Sequence, residues 1–118
     1  MRPRHALIIE DEILIALEIE ELLKEQGFAS VAIAESPLEA LDCALKRKPD
    51  LITADYRIVD GTGIEAVKMI MAHLGPIPVV YVTGHAKALD GQGDGVVVQK
   101  PIRPHVLAGA WRHALQAA

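Results

Sequence analysis

The chain of 118 residues predicts an α/β domain built on one doubly wound, five-stranded parallel sheet with helices on both faces. Three observations lead there. Five apolar runs of four to six residues, at 6–9, 30–34, 51–54, 77–82 and 95–99, alternate with segments of helical periodicity, the pattern of strands joined by crossover helices. Half of the residues, 51%, are hydrophobic and only 3% aromatic, with the apolar mass in Ile, Leu, Val and Ala, as suits strands covered on both faces. The third run, "LITA", ends on the carboxylate Asp55. In a parallel sheet that position is the rim where open α/β folds place their ligands.

Each helix carries its own start or stop signal. The first, about 12–26, puts Ile15, Ile19, Leu22 and Leu23 on one face and Glu18, Glu21 and Glu25 on another, then stops at Gly27, where a left-handed residue can end it. Ile13, Leu14 and Leu17 fall outside that apolar stripe. They pack against the last helix or loop, or form a partner patch. The second helix opens with "SPLE", in which Ser36 is the N-cap, Pro37 the first helical residue and Glu39 completes a capping box; it ends before Pro49. The third, about 63–73, is limited by Gly75-Pro76, and the last runs from about 104 to the end. Between the fourth and fifth strands, Gly91, Gly93 and Gly95 each disfavour helix by about 1 kcal/mol relative to Ala, leaving at most a turn or two near 86–89. The fourth crossover helix is therefore short or degraded. No repeat or linker divides residues 1–118, which read as one domain.

The formal charge of −4, from 12 basic and 16 acidic side chains, argues against direct nucleic-acid binding, which neutralises phosphates with Lys and Arg. The single Cys43 cannot form an internal disulfide, no run reaches the ~18 apolar residues of a membrane span, and "MRPRHALII" is too short for a secretory signal. A cytoplasmic location with no membrane partner is the expectation. The five histidines share no metal-ligand spacing and read mostly as helix-end or surface residues. Trp111 reads as core or edge packing and Cys43 as helix packing.

Reading the strand ends in turn gives Glu10 and Asp11, Asp55, Thr83, then Lys100 and Pro101. Three carboxylates together raise one another's pKa unless a cation joins them, and a hard divalent ion with oxygen ligands meets that need. Mg²⁺ is the implied cofactor. With Asp55 as a nucleophile toward a phosphoryl group, the metal and Lys100 can neutralise the transferred oxygens while Thr83 donates to them.

Taken together, "LIIEDE", "PDLITADYRIVDGTGIEAV", "PVVYVTG" and "VVQKP" resemble the receiver domain of bacterial two-component response regulators across essentially the whole chain. Within it, "IIEDE-LIA", an Asp-Gly soon after Asp55 and an aliphatic fifth strand look like receivers of general-stress-response regulators of the anti-sigma antagonist type. The resemblance implies a flavodoxin-like fold with strand order 2-1-3-4-5 and a phosphorelay function rather than an enzyme's turnover. It also implies Asp55 as phosphoacceptor, Asp11 as direct Mg²⁺ ligand with Glu10 acting through water, and the Arg57 carbonyl as a backbone ligand. Thr83 would turn toward the phosphoryl group, Lys100 would pair with it, Gly84 would leave it room, and the Lys100–Pro101 bond would be cis. Arg57 and His85 occupy positions that modulate dephosphorylation in relatives. A histidine kinase or histidine phosphotransfer protein is the implied donor, and relatives dock it on the region of Ile13, Leu14 and Leu17. The output partner and any homodimer stay open.

Three departures from the family pattern carry expectations of their own. Val97 replaces the aromatic that rotates inward on activation, so the signal is expected to travel through the Gly-rich loop after Thr83. The span from Thr83 to Lys100 is short, in keeping with the degraded helix. Val59 replaces a common proline, which predicts a looser loop. Two alternatives stand beside the receiver. A Mg²⁺-dependent phosphohydrolase of the haloacid-dehalogenase type would need a second Asp where Arg57 stands. A pseudo-receiver would keep the fold without the chemistry, against which the set Asp11, Asp55, Thr83 and Lys100 argues.

Overall fold

The computed structural model describes residues 2–84 and 95–117. Its elements run β1 (His5–Ile9), α1 (Ile13–Glu25), β2 (Ser30–Ala34), α2 (Pro37–Lys46) and β3 (Leu51–Ala54). Next come a short hairpin of β4 (Arg57–Ile58) and β5 (Gly61–Thr62), then α3 (Gly63–Leu74), β6 (Val79–Thr83), β7 (Val96–Gln99) and α4 (Pro104–Ala117). The main sheet has the order β2-β1-β3-β6-β7 with every pair parallel. Without the hairpin, that is the 2-1-3-4-5 order expected. The helix sought near 86–89 lies outside the described residues, as does His85.

Alternation along the strands sorts the core into two layers. Leu7, Ile9, Ile52, Ala54, Val79 and Tyr81 point to the face covered by α2 and α3, where Ala40, Ala44, Ile64, Val67 and Ile70 meet them. Ala6, Ile8, Val80, Val82 and Val98 point to the other, under Ala16, Ile19 and Leu23 of α1 and Leu107, Trp111 and Ala114 of α4. A one-residue slip in any central strand would exchange these sets, so the two layers fix the register, and with it the height at which each strand meets the carboxyl edge.

Trp111 belongs to the core, as its sequence context suggests, and its polar tip has a partner there. Its indole Nε1–H donates to Thr53 Oγ1 at 3.0 Å, joining α4 to the central strand β3. Other local signals are realised in altered form. Gly27 ends α1 with φ 96°. Ser36 Oγ accepts from the Glu39 amide as expected, but the Glu39 carboxylate reaches past the cap to the Glu35 N–H at 3.0 Å, so the reciprocal half of the capping box is displaced by one residue. His5 corrects the surface reading of the histidines: it is buried in β1, its Nδ1 paired with Ser30 Oγ at 2.8 Å on β2.

Two further expectations change. The loop after Asp55 is an antiparallel hairpin rather than a loose connection, with Asp60 at φ 62° in its turn. Val59 is what ties it down, because its N–H donates to the Glu35 carbonyl at 2.9 Å, a bond that proline could not make. Ile13, Leu14 and Leu17 do not pack under α4 either; they are 59%, 79% and 48% exposed.

Removing the indole N–H with Trp111→Phe leaves the buried Thr53 hydroxyl without its donor, and we expect a loss of about 1–3 kcal/mol in urea denaturation. Trp111→Phe combined with Thr53→Val removes both polar partners and should recover part of that loss.

Candidate functional site

The carboxyl edge of the sheet gathers the polar residues that the sequence distributes between positions 10 and 100. Strand β1 delivers Glu10, whose N–H continues the ladder by donating to the Ala34 carbonyl at 2.9 Å, and β3 delivers Asp55, whose N–H donates to the Ile9 carbonyl at 2.9 Å. Beyond β7, the Lys100 N–H donates to the Thr83 carbonyl at 3.0 Å, which fixes the start of the turn carrying the ammonium. The Lys100–Pro101 bond is cis, as expected.

Lys100 Nζ stands between two carboxylates, 2.9 Å from Asp55 Oδ2 and 3.1 Å from Glu10 Oε1. Each carboxylate keeps a second donor. The Tyr56 N–H reaches Asp55 Oδ1 at 2.7 Å, and the Glu12 N–H reaches Glu10 Oε2 at 3.2 Å. Glu10 and Asp55 are buried while Asp11 is exposed, yet one oxygen from each of the three lies within 4.8 Å of the others. Thr83 is fully buried, and beside Gly84 a Cβ would meet open space. Arg57 begins the hairpin with its side chain exposed.

Burial, then the neighbouring Asp55 charge, pushes the Glu10 carboxyl up to about 7, against the opposing pull of the Glu12 amide and Lys100. Lys100 moves the other way from what its burial alone would do: its hydrogen bonds to Asp55 and Glu10 raise it. The edge therefore holds more negative charge than one ammonium neutralises. An all-oxygen donor set of this kind suits a hard divalent cation.

Two residues that hold the site in shape are not site candidates by sequence. Gly63 passes so close under Asp55 that a Cβ there would lie 1.9 Å from the Asp55 carbonyl oxygen, so a side chain cannot be placed without moving the Asp55 backbone. Thr62 caps α3, with Oγ1 accepting the Glu65 N–H at 3.1 Å and donating to Glu65 Oε1 at 3.2 Å. "TGIE" is a legible capping box.

A parallel sheet of this order, with three carboxylates and a lysine at its carboxyl edge, defines a receiver-type α/β domain. The chain belongs to the response regulator receiver domain family, whose model matches residues 6–111. It is 32% identical to the phyllosphere-induced regulator PhyR of Methylorubrum extorquens over 114 residues, covering 92% of this chain and 42% of the relative. The solution structure of the PhyR receiver domain from Erythrobacter litoralis superposes with a TM-score of 0.89 at 30% identity, over 97% of this chain and 91% of that one. The crystal structure of the anti-anti-sigma factor PhyR from Bartonella quintana gives a TM-score of 0.85 at 33% identity, over 99% of this chain and 49% of that one. The chain spans about half the length of the first curated relatives it matches. Among the described residues, no helix is long and apolar enough to cross a membrane.

The raised Glu10 carboxyl has a sign that can be measured. Without metal, the unfolded chain releases this proton near 4.5 while the folded chain keeps it to about 7, so the unfolded state binds fewer protons between those values and Glu10's contribution to stability falls as pH rises through that window. Urea midpoints measured in EDTA should show this decline, and Glu10→Gln should flatten it.

Proposed function

We propose that this receiver domain takes a phosphoryl group from a phosphohistidine onto Asp55, holds it as an acyl phosphate, and signals by contact with another protein. The observation that carries the reading is the position of Asp55, buried at the strand end with Lys100 Nζ at 2.9 Å and two further carboxylates beside it. A carboxylate oxygen of Asp55 attacks phosphorus, the P–N bond to the imidazole breaks, and the nitrogen recovers the electron pair and takes up a proton. Lys100 follows the charge from the carboxylate to the transferred oxygens. Thr83 donates its hydroxyl to one of them, Gly84 leaves the space they need, and the Tyr56 amide keeps Asp55 oriented. Glu10, Asp11, Asp55 and the Arg57 carbonyl would hold Mg²⁺. When bound, that ion supplies the positive charge that offsets the incoming phosphoryl group. Arg57 and His85 would set how fast water removes the phosphoryl group.

A kinase or histidine phosphotransfer protein is the proposed donor, seated on the exposed Ile13, Leu14 and Leu17 at the start of α1, beside the acidic edge. The PhyR relatives support an output that acts by protein contact, with an anti-sigma factor as the partner class and the cytoplasm as the location. Residues 84–95 are the proposed route of the signal, given Val97 in place of an aromatic.

Incubation with Mg²⁺ and acetyl phosphate should add one labile phosphoryl group, about 80 Da by intact mass, which Asp55→Ala abolishes and EDTA prevents. The absence of any gain in mass, together with no response to Mg²⁺ in a titration, would overturn the reading in favour of a pseudo-receiver. Leu14→Ser with Leu17→Ser should slow transfer from the cognate kinase while leaving uptake from acetyl phosphate unchanged; equal loss on both routes would remove the docking assignment.

A further inference from the structure

The edge of the sheet opposite the acidic site carries the other sign of charge. Arg2, Arg4, Arg47 and Lys48 lie there, four of the chain's 12 basic side chains, with Asp50 the one acid among residues 2–5 and 47–50. Asp50 is already engaged: one carboxylate oxygen accepts from Arg2 Nη2, and the other accepts the His5 N–H at 2.8 Å. Arg47 caps the C-terminus of α2, its amide donating to the Cys43 carbonyl, at a helix end where a cation is favoured. Arg4 and Lys48 are both exposed, and Arg4 acts on Asp50 through its charge rather than through a hydrogen bond.

These two cations and Arg2 line a cavity of about 440 Å³ whose other walls are Pro49, Asp50, Pro76, Ile77, Pro78 and Leu115. Its floor is stiff. Pro49 and Ile77 are buried, and the Pro78 carbonyl is held by the Ile52 N–H at 2.9 Å. Pro49, Pro76 and Pro78 each present a wall with fixed φ and no donor of its own. The volume falls in the range of small-molecule sites, ~300–1,000 Å³, and one wall is apolar while the rim is cationic. Two titrating groups register the field there. Asp50 sits below the usual carboxylate range although burial opposes it, held down by the His5 amide and by Arg2 and Arg4; His5 is lowered by burial and then by Arg47.

We infer that this cavity at the amino edge of the sheet binds an organic phosphate of nucleotide size, its phosphates on Arg4, Lys48 and Arg2 and its body against Ile77 and Leu115. Guanidinium and ammonium groups are the side chains suited to phosphate oxygens. A phosphate alone would leave the apolar wall uncovered. The site is separate from the acidic edge, since it lies at the other end of the same strands: Asp50 precedes β3 and Asp55 comes directly after it.

The test uses the whole chain in EDTA, which silences metal-dependent binding at the acidic edge, with ADP as the probe and pyrophosphate and adenosine as its two halves. We expect ADP to shift the methyl NMR signals of Ile77 and Leu115, and Arg4→Ala with Lys48→Ala to weaken it about tenfold or more. That variant should keep its melting temperature and still gain a phosphoryl group from acetyl phosphate, so its effect would belong to the cavity rather than to Asp55. Pyrophosphate should bind more weakly than ADP, and adenosine should not bind. Equal binding of pyrophosphate and ADP would overturn the apolar half of the assignment. Unmoved Ile77 and Leu115 signals, or binding within about twofold of wild type in the double variant, would overturn the site.

Discussion

Lys100 is the constraint on which the site turns. A buried carboxylate without a partner is costly enough to protonate instead, and here two of them, Glu10 and Asp55, share one ammonium. The ammonium can reach both only if β1, β3 and the turn after β7 end at the same height. That height is set far below, by the side chains that lock strand register between two helix layers. Core packing and site chemistry are therefore one problem. The arrangement satisfies the residues it has, but leaves the edge with a surplus of negative charge that a divalent cation would remove.

The hairpin after Asp55 is the second element that shapes the edge. It makes the path from Asp55 to α3 a short hydrogen-bonded structure, pinned at one side by the Val59 amide on Glu35 and closed at the other by the Gly63 amide on the Tyr56 carbonyl at 2.7 Å. Gly63 permits the close pass beneath Asp55, and Thr62 then starts the helix at once. The hairpin thus ties the segment after Asp55 to the residue before the α2 cap and to the start of α3.

Much of this was legible in the sequence because parallel strands announce themselves twice, by an apolar run and by the polar residue that closes it. The runs at 30–34 and 51–54 coincide with β2 and β3, and Glu10, Asp55 and Lys100 meet as their strand-end positions require. The features that stayed hidden depend on distance in sequence or on backbone alone. The β4–β5 hairpin has two residues to a strand, too few for any periodicity. The Val59 bond uses an N–H that almost every residue carries, so a substitution for proline reads as a loss when it is a gain. His5 shows no signal of burial beyond sitting beside an apolar run, and its partner Ser30 is 25 residues away. The exposure of Ile13, Leu14 and Leu17 was open to either reading until the position of α4 decided it.

Trp111 is the chain's one tryptophan, and its indole is bonded to Thr53 in β3, two residues before Asp55. The one tryptophan thus lies against the strand that ends at Asp55, in a dry setting and with a defined partner. Its emission is an optical readout of β3 that needs no label, and it reports from the face opposite α2 and α3.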